Sequence, residues 1–568
     1  MLAWPRALLK TYLHTAFKPN LSQVSENSKS KGRFVFWADA VAESAIEHAK
    51  RNGMPLVTVK SGGSPSGGKH IGNMNDQIRA FFIYDSVKRK GIPARLIYTN
   101  DDMDPLRTIP PSAPDGDGEW HSFTEQELST LEKYLGWPYS RIPDVFGCHR
   151  SWSEHFNSVI QDGLEKLGIS MENYNNSNSY ANGVFLEVTR LTLSKTSLVR
   201  EVLSRYQSTV EKDWIPFHAI CGNCGKITTT ALRVDLENDT VEYECRGRVL
   251  AGKYVVKGCG HRGSSTLKEG KLPWRLEWVA QWKVFQVNAE PFGKDHYEGS
   301  WKSGQALARE IYGIEPPASL VYEFFLVNGE KMSSRRGNAY ILQDILKVLE
   351  PEVVKYLYTK RPMMQRNIDL KNVHLLVEEF DRFEEGFFNK SSEEAERIYP
   401  VVMGTVPPRK PLRISYLLAS YLVQFYPLEE AYRSLVRAGI VGEEASEDDR
   451  SRVFLRLRLA KNWLSTFADQ DKYVLRKEVS RIDISDVKKA VEELAERLSS
   501  LPDFKGEDIQ NTIYSTARGN NIPPPVFFKK LYMIFLGMES GPRLGYLLAA
   551  LGRERVVSRL RKVLSEAG

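Results

Sequence analysis

The stretch Val57-Thr58-Val59-Lys60-Ser61-Gly62-Gly63-Ser64-Pro65-Ser66-Gly67-Gly68-Lys69-His70-Ile71-Gly72-Asn73 decides how the rest of the chain reads. Val57 and Val59 alternate with polar neighbours as a strand does, and Ser61 to Gly68 is a turn of glycine, serine and proline. Apolar residues at 71, 74, 78, 81 and 82 then follow the helical period. A second strand, Leu96 to Tyr98, runs into the acidic loop Asp101-Asp102-Met103-Asp104. Strand, glycine turn, helix and strand make a βαβ unit, so the expected fold is α/β with a Rossmann-type parallel sheet and its functional residues on the C-terminal edge. Glycines at the mouth of a helix let backbone N–H groups approach a phosphate, and His70 stands where it can donate to charge developing on an α-phosphate.

A glycine turn alone is a weak signal. It gains weight from Lys331-Met332-Ser333-Ser334-Arg335-Arg336-Gly337, a basic loop able to bring cations to the other side of a triphosphate. Between the two, residues 105 to 265 read as an insertion of helical stretches and clustered cysteines. The sheet is expected to resume with the aromatic-rich run Leu272 to Trp282, and the loop Glu290 to His296 leads on to the second motif. Beyond about residue 390, Leu, Ile and Val recur at helical spacing, broken at Pro407-Pro408 and Pro523-Pro524-Pro525, which makes a separate all-α domain.

Outward from these motifs, the 568 residues are 42% hydrophobic and 26% charged, enough apolar material for several cores. No stretch approaches the roughly 18 uninterrupted apolar residues of a membrane span, so membrane-spanning and disordered classes are excluded. The net charge of +7 is compatible with a polyanionic partner without establishing one. The first 33 residues carry Arg6, Lys10, Lys18, Lys29, Lys31 and Arg33 against one acid, Glu26; they read as an amphipathic tail with some likeness to a transit peptide but no cleavage site. Four of the five cysteines fall between 221 and 259, as a metal site in a reducing compartment requires, and the expected location is cytoplasmic. Cys221 and Cys224 form a zinc knuckle; Cys245, Cys259 and His261 are the further candidates, with Cys245 or His261 completing the set and His218 also in reach. The expected role of the Zn²⁺ is structural. Cys148, beside His149, reads as a lone core thiol.

The two motifs resemble the paired signatures of class I aminoacyl-tRNA synthetases. Pro65-Ser66-Gly67 with His70-Ile71-Gly72-Asn73, the run Asp101 to Arg107, Leu272-Pro273-Trp274-Arg275-Leu276-Glu277-Trp278, Gly293-Lys294-Asp295-His296 and Gly541-Pro542-Arg543-Leu544-Gly545 narrow the resemblance to the lysine-specific, archaeal-type branch of that class. The resemblance covers residue 34 to the end. It implies ATP-dependent attachment of lysine to its tRNA, with Mg²⁺ carried on the phosphates, no membrane partner and a monomer as the favoured state. It places Pro65, Ser66, Gly67, His70, Gly72, Asn73, Gly293, Asp295 and Lys331 around ATP, with His70, Asn73, Lys331, Ser333 and Ser334 as the catalytic set. Gly62, Ser64, Trp274, His296 and Tyr322 are implied at the lysine; Glu277 and Glu323 are acidic partners for its ammonium on chemical grounds.

The implied organisation is an extension at 1–33, a catalytic domain at 34–104 and 266–330, a zinc-bearing connective insertion at 105–265 with its site at 221–261, a signature loop and stem-contact region at 331–390, and an all-α anticodon-binding domain at 391–568. Phe527-Phe528-Lys529-Lys530-Leu531-Tyr532 reads either as a solvated basic face or as a surface for unstacked bases. Arg336 stands where the resemblance calls for lysine, Ser334 where many class I enzymes carry a second one, and Gln281 where a basic residue is expected. An enzyme for glutamate or arginine, or an idle tRNA-binding paralogue, are the alternative readings.

Overall fold

In the computed structural model, the described residues are 35–208, 210–250, 254–332, 338–475 and 482–566. The extension at 1–33 and the signature-loop residues Ser333, Ser334, Arg335 and Arg336 lie outside them. Helix α1 (Trp37–Arg51) precedes strand β1 (Val57–Gly63), helix α2 (Asn75–Arg89) and strand β2 (Ala94–Asn100). A short hairpin of β3 (Ser112–Pro114) and β4 (Trp120–Ser122) follows, then helix α3 (Trp152–Lys166), strand β5 (Glu172–Asn175), helix α4 (Trp274–Val284) and strands β6 (Val287–Gly293) and β7 (Ala318–Tyr322). The main sheet has five strands in the order β7-β6-β1-β2-β5, all parallel. Its register sets Gly63 beside Asn100 and Gly293 beside Tyr322, so the segments that carry the motifs leave the sheet along one edge. Val57 to Ser61 are buried throughout, as a central parallel strand covered on both faces must be.

Three readings are corrected by the structure. Residues 105–265 are not wholly an insertion, because Glu172–Asn175 joins the sheet as an edge strand; its polar sequence carries no apolar alternation to announce it. The aromatic run from Trp274 is a helix rather than a strand, and the sheet resumes at Val287. Leu276 to Trp282 are buried without a break, which erases the periodicity that separates the two. The glycine turn does not open straight onto a helix: the Asn73 N–H bonds back to the His70 carbonyl at 2.8 Å in a turn of its own, and α2 starts at Asn75.

Beyond Val373 the described residues are almost wholly helical. One hydrophobic core begins at Phe36, takes in Val59, Ile78 and Leu357, and continues through Phe380, Leu422 and Trp463 to Val563. The sheet and the C-terminal helices therefore share a core. A second core joins Ile97, Leu276 and Val287 to Tyr243 and Cys245 of the insertion, and a small third one holds Leu106, Phe123, Trp152 and Phe156. No helix among the described residues is long and apolar enough to cross a membrane.

Candidate active site

The C-terminal edge of the sheet opens into a cavity of 840 Å³ whose walls include Gly62, Ser64, Ser66, Gly67, His70, Asn73, Trp274 and His296. Of the other expected residues, Pro65, Gly72, Gly293, Asp295, Tyr322 and Lys331 stand behind or beside this wall. Pro65 accepts a hydrogen bond from Trp152 Nε1 at 3.0 Å, and Gly293 closes β6 with Asp295 exposed just after it. At Gly72 an added Cβ would lie 2.9 Å from Met332 Cε and 3.0 Å from the His70 ring, so the second motif packs where the first has no side chain. Ile71 N–H donates to the Tyr340 carbonyl at 2.8 Å, a further stitch between the two motifs. Lys331 Nζ sits 4.4 Å from the centre of the Phe324 ring. Burial lowers the His70 imidazole to about 4, with Lys69 and Lys331 adding to the shift, so at neutral pH it is an uncharged donor.

Carboxylates and lysines crowd the floor. Lys60 pairs with Glu290 at 2.6 Å, and Glu290 also accepts from the indoles of Trp278 and Trp282 at 3.1 and 2.6 Å. Lys271 bridges Asp104 and Glu277 at 2.6 and 2.7 Å. One ammonium cannot neutralise every carboxylate around it, and burial pushes the Glu277 carboxyl up to about 8. Asp76 and Asp101 differ from these. Among the described residues neither has an ion-pair partner; Asp76 accepts from the Tyr322 hydroxyl at 2.7 Å, and Asp101 from Gln281 Nε2 and Asn176 Nδ2, each at 3.0 Å. Burial raises Asp76 to about 7 against the pull of Lys69, and raises Asp101 with help from Asp104. Gln281 thus has a structural account: it donates to Asp101 as a neutral partner, where a basic residue would form an ion pair with it. Glu323, by contrast, is taken up by Lys294 outside the cavity wall.

The stacked rings of Trp274 and Trp278 lie 5.5 Å apart at 18°, and Trp274 is 5.3 Å from His296. Trp278 and Trp282 are buried in the core, as expected of them, while Trp274 and His296 line the cavity.

Two groups of side chains have the geometry of metal sites. Cys221 Sγ lies 3.8 Å from Cys259 Sγ and Cys224 Sγ lies 3.6 Å from Cys245 Sγ, and all four sulfurs fall within 4.8 Å of one another. A tetrahedron with bonds of about 2.3 Å has edges of about 3.8 Å, so the set fits zinc. Cys245 completes it. His261 is outside the set, and His218 is turned away to Arg248 and the Thr229 carbonyl. The second group corrects the reading of Cys148: it is exposed, not a core thiol, and meets Asp144, His149 and His155. Its sulfur is 3.3 Å from Asp144 Oδ2, 3.1 Å from His149 Nδ1 and 3.2 Å from His155 Nδ1. His155 Nε2 lies 2.9 Å from the Pro114 carbonyl, the arrangement that leaves Nδ1 free as a ligand. The signal for this group was in the sequence as Asp144, four residues to Cys148-His149 and six more to His155, a spacing without a CxxC to draw the eye.

Residues 35–405 match the family described as tRNA synthetases class I (K), and residues 457–564 an anticodon binding domain. A protein named lysine–tRNA ligase from Halobacterium salinarum is 39% identical over 93% of this chain and 97% of its own. Those of Natronomonas pharaonis and Pyrococcus furiosus are 38% and 33% identical, covering 93% of this chain and 97% and 99% of theirs. The chain belongs to the class I lysine–tRNA ligase family. Within that family its cavity joins the glycine-and-histidine motif to the acidic floor, and the ligase's C-terminal helices contain the anticodon-binding match. The string from Phe527 is not an open platform: Phe527 and Leu531 are core residues, while Lys529 and Lys530 pair with Glu539 and Asp486 at 2.7 and 2.9 Å.

Proposed function

We infer that this ligase activates lysine with ATP and passes the lysyl group to the lysine tRNA. The observation that carries lysine, rather than glutamate or arginine, is the pair Asp76 and Asp101, two carboxylates that face one cavity with no close ion pair among the described residues. A diamino acid brings two ammonium groups to match them, and the Trp274 face packs its aliphatic stem. Glutamate would instead bring a side-chain carboxylate against Asp76 and Asp101, like charge facing like.

ATP lies along the glycine turn, its phosphates between Ser66 to Asn73 and the Lys331 loop and its ribose toward Gly293 and Asp295; Mg²⁺ enters on the phosphate oxygens. The lysine carboxylate attacks the α-phosphorus, the bond to the β,γ-pyrophosphate breaks, and lysyl-adenylate forms. Neutral His70 donates to the oxygen on which charge develops, Lys331, Ser333 and Ser334 hold the departing pyrophosphate, and no covalent enzyme intermediate is needed. The 2′-hydroxyl of the terminal tRNA adenosine then takes the lysyl group and releases AMP. Both ligand groups would hold zinc in structural roles, since each presents a closed set of four donors. The ligase acts as a cytoplasmic monomer. ATP–pyrophosphate exchange in the presence of tRNA tests the reading: lysine supports it, and exchange driven instead by glutamate or arginine overturns it.

A further inference from the structure

The second ligand group sits behind the glycine turn, and one hairpin connects the two. The β3–β4 hairpin touches the ligand group on one side, where the Pro114 carbonyl bonds to His155 Nε2 at 2.9 Å and an added Cβ on Gly116 would meet Cys148 Sγ at 3.4 Å. On its other side it touches the glycine turn: a Cβ on Gly68 would lie 2.7 Å from the Pro114 ring and 3.3 Å from Ile341, so only glycine lets the turn close against them. The hairpin also reaches the segment that follows the second motif. Trp120 Nε1 donates to Asp344 at 2.9 Å, the same carboxylate accepts from Ile341 N–H at 3.0 Å, and Ile341 forms a backbone bridge with His70. Helix α3, which carries His155, adds a direct tie through Trp152 to the Pro65 carbonyl.

We propose that metal bound by Asp144, Cys148, His149 and His155 positions the ATP-phosphate loop through Pro114 and Pro65. The inference rests on the reading of this group as a zinc site and of the glycine turn as the phosphate loop. A metal on His155 Nδ1 fixes the imidazole in the tautomer whose Nε2–H donates to Pro114 and holds its ring plane, already stacked at 4.3 Å and 16° on Phe146. Freed of metal, the ring gains the second tautomer, in which Nε2 carries no hydrogen and cannot donate to the Pro114 carbonyl. Pro114 is then released from Gly68 and the turn loses the wall that shapes it. None of these four residues lines the cavity; they are positioning residues.

Four chains are compared for zinc content and for the ATP dissociation constant, measured by equilibrium dialysis with tRNA present and lysine absent. Wild type carries two zinc ions. Cys148→Ser is expected to carry one and to bind ATP about tenfold more weakly, with lysine affinity unchanged. Trp152→Phe keeps both ions but weakens ATP several-fold, because it removes only the bond to Pro65. Cys221→Ser loses the other zinc and leaves ATP affinity intact, which separates this coupling from a general effect of zinc loss. If Cys148→Ser retains two zinc ions, the metal reading of this group is wrong. If it loses one and both it and Trp152→Phe bind ATP as wild type does, the metal site stands and the coupling is refuted. Should Cys148→Ser not fold, Trp152→Phe together with chelation and zinc add-back on the Cys221→Ser chain decides the same question.

Discussion

The chemistry at single residues follows from burial. His70 is held neutral by desolvation, so it offers a hydrogen bond to the transition state without changing charge between pH 6 and 9. Its replacement by alanine is expected to slow adenylate formation by about 10²-fold or more while tRNA binding survives, a comparison made by single-turnover kinetics and filter binding. Asp76 titrates in the working range. Its carboxyl is raised to about 7, so the free enzyme gains the negative charge that attracts an ammonium as pH rises through that value and loses it below. The kcat/KM for lysine should therefore fall as pH drops from 8 to 6, and that inflection should vanish in Asp76→Asn, which is also expected to raise KM for lysine at pH 8. A profile in Asp76→Asn identical to wild type would remove Asp76 from the lysine site. The glycine and histidine signature was legible because each residue type is needed at its own position. Asp76 was not, since a lone acid at the start of an amphipathic helix is also the ordinary complement of the helix dipole.

At the scale of elements, local pattern was readable where one face was buried and silent elsewhere. The β1 strand, its turn and β2 announced themselves, but α4 is buried nearly all round and β5 is polar at a sheet edge, so neither shows the period that would mark its type. The insertion's cysteines signalled metal through CxxC, whereas Asp144, Cys148 and His149 come from the turns before α3 and meet His155 in its first turn, with no such signature. Cys221→Ser or Cys224→Ser is expected to release about one zinc per chain and to make the strands between Ala219 and Thr266 sensitive to protease, followed by metal analysis and limited proteolysis. Retention of both metal ions in these variants would contradict the four-sulfur site.

For the whole molecule, the core runs without a break past residue 390, where the all-α part of the chain is expected to begin. Arg456 is buried and pairs with Glu350 and Asp381, each at 2.7 Å, and Arg413 reaches Glu352 at 2.9 Å and Glu384 at 3.0 Å. These pairs and the shared core cross that point. Removing residues 391–568 would strand buried carboxylates and expose apolar surface, so the truncated chain is expected to aggregate or lose its cooperative unfolding transition, as calorimetry would show. Anticodon reading is therefore tested on the intact chain, by charging anticodon-substituted tRNAs, and a clear loss relative to the natural tRNA is expected. Composition and motif spacing made the α/β-plus-helical plan visible, yet nothing in them reported that the two parts have one core. The most direct test of the whole account is aminoacylation of lysine tRNA by the purified full-length chain with labelled lysine, glutamate or arginine and ATP. The account predicts label on the 3′-terminal adenosine with lysine alone, lost in His70→Ala; charging with glutamate or arginine, or none with lysine while ATP and tRNA still bind, would contradict it.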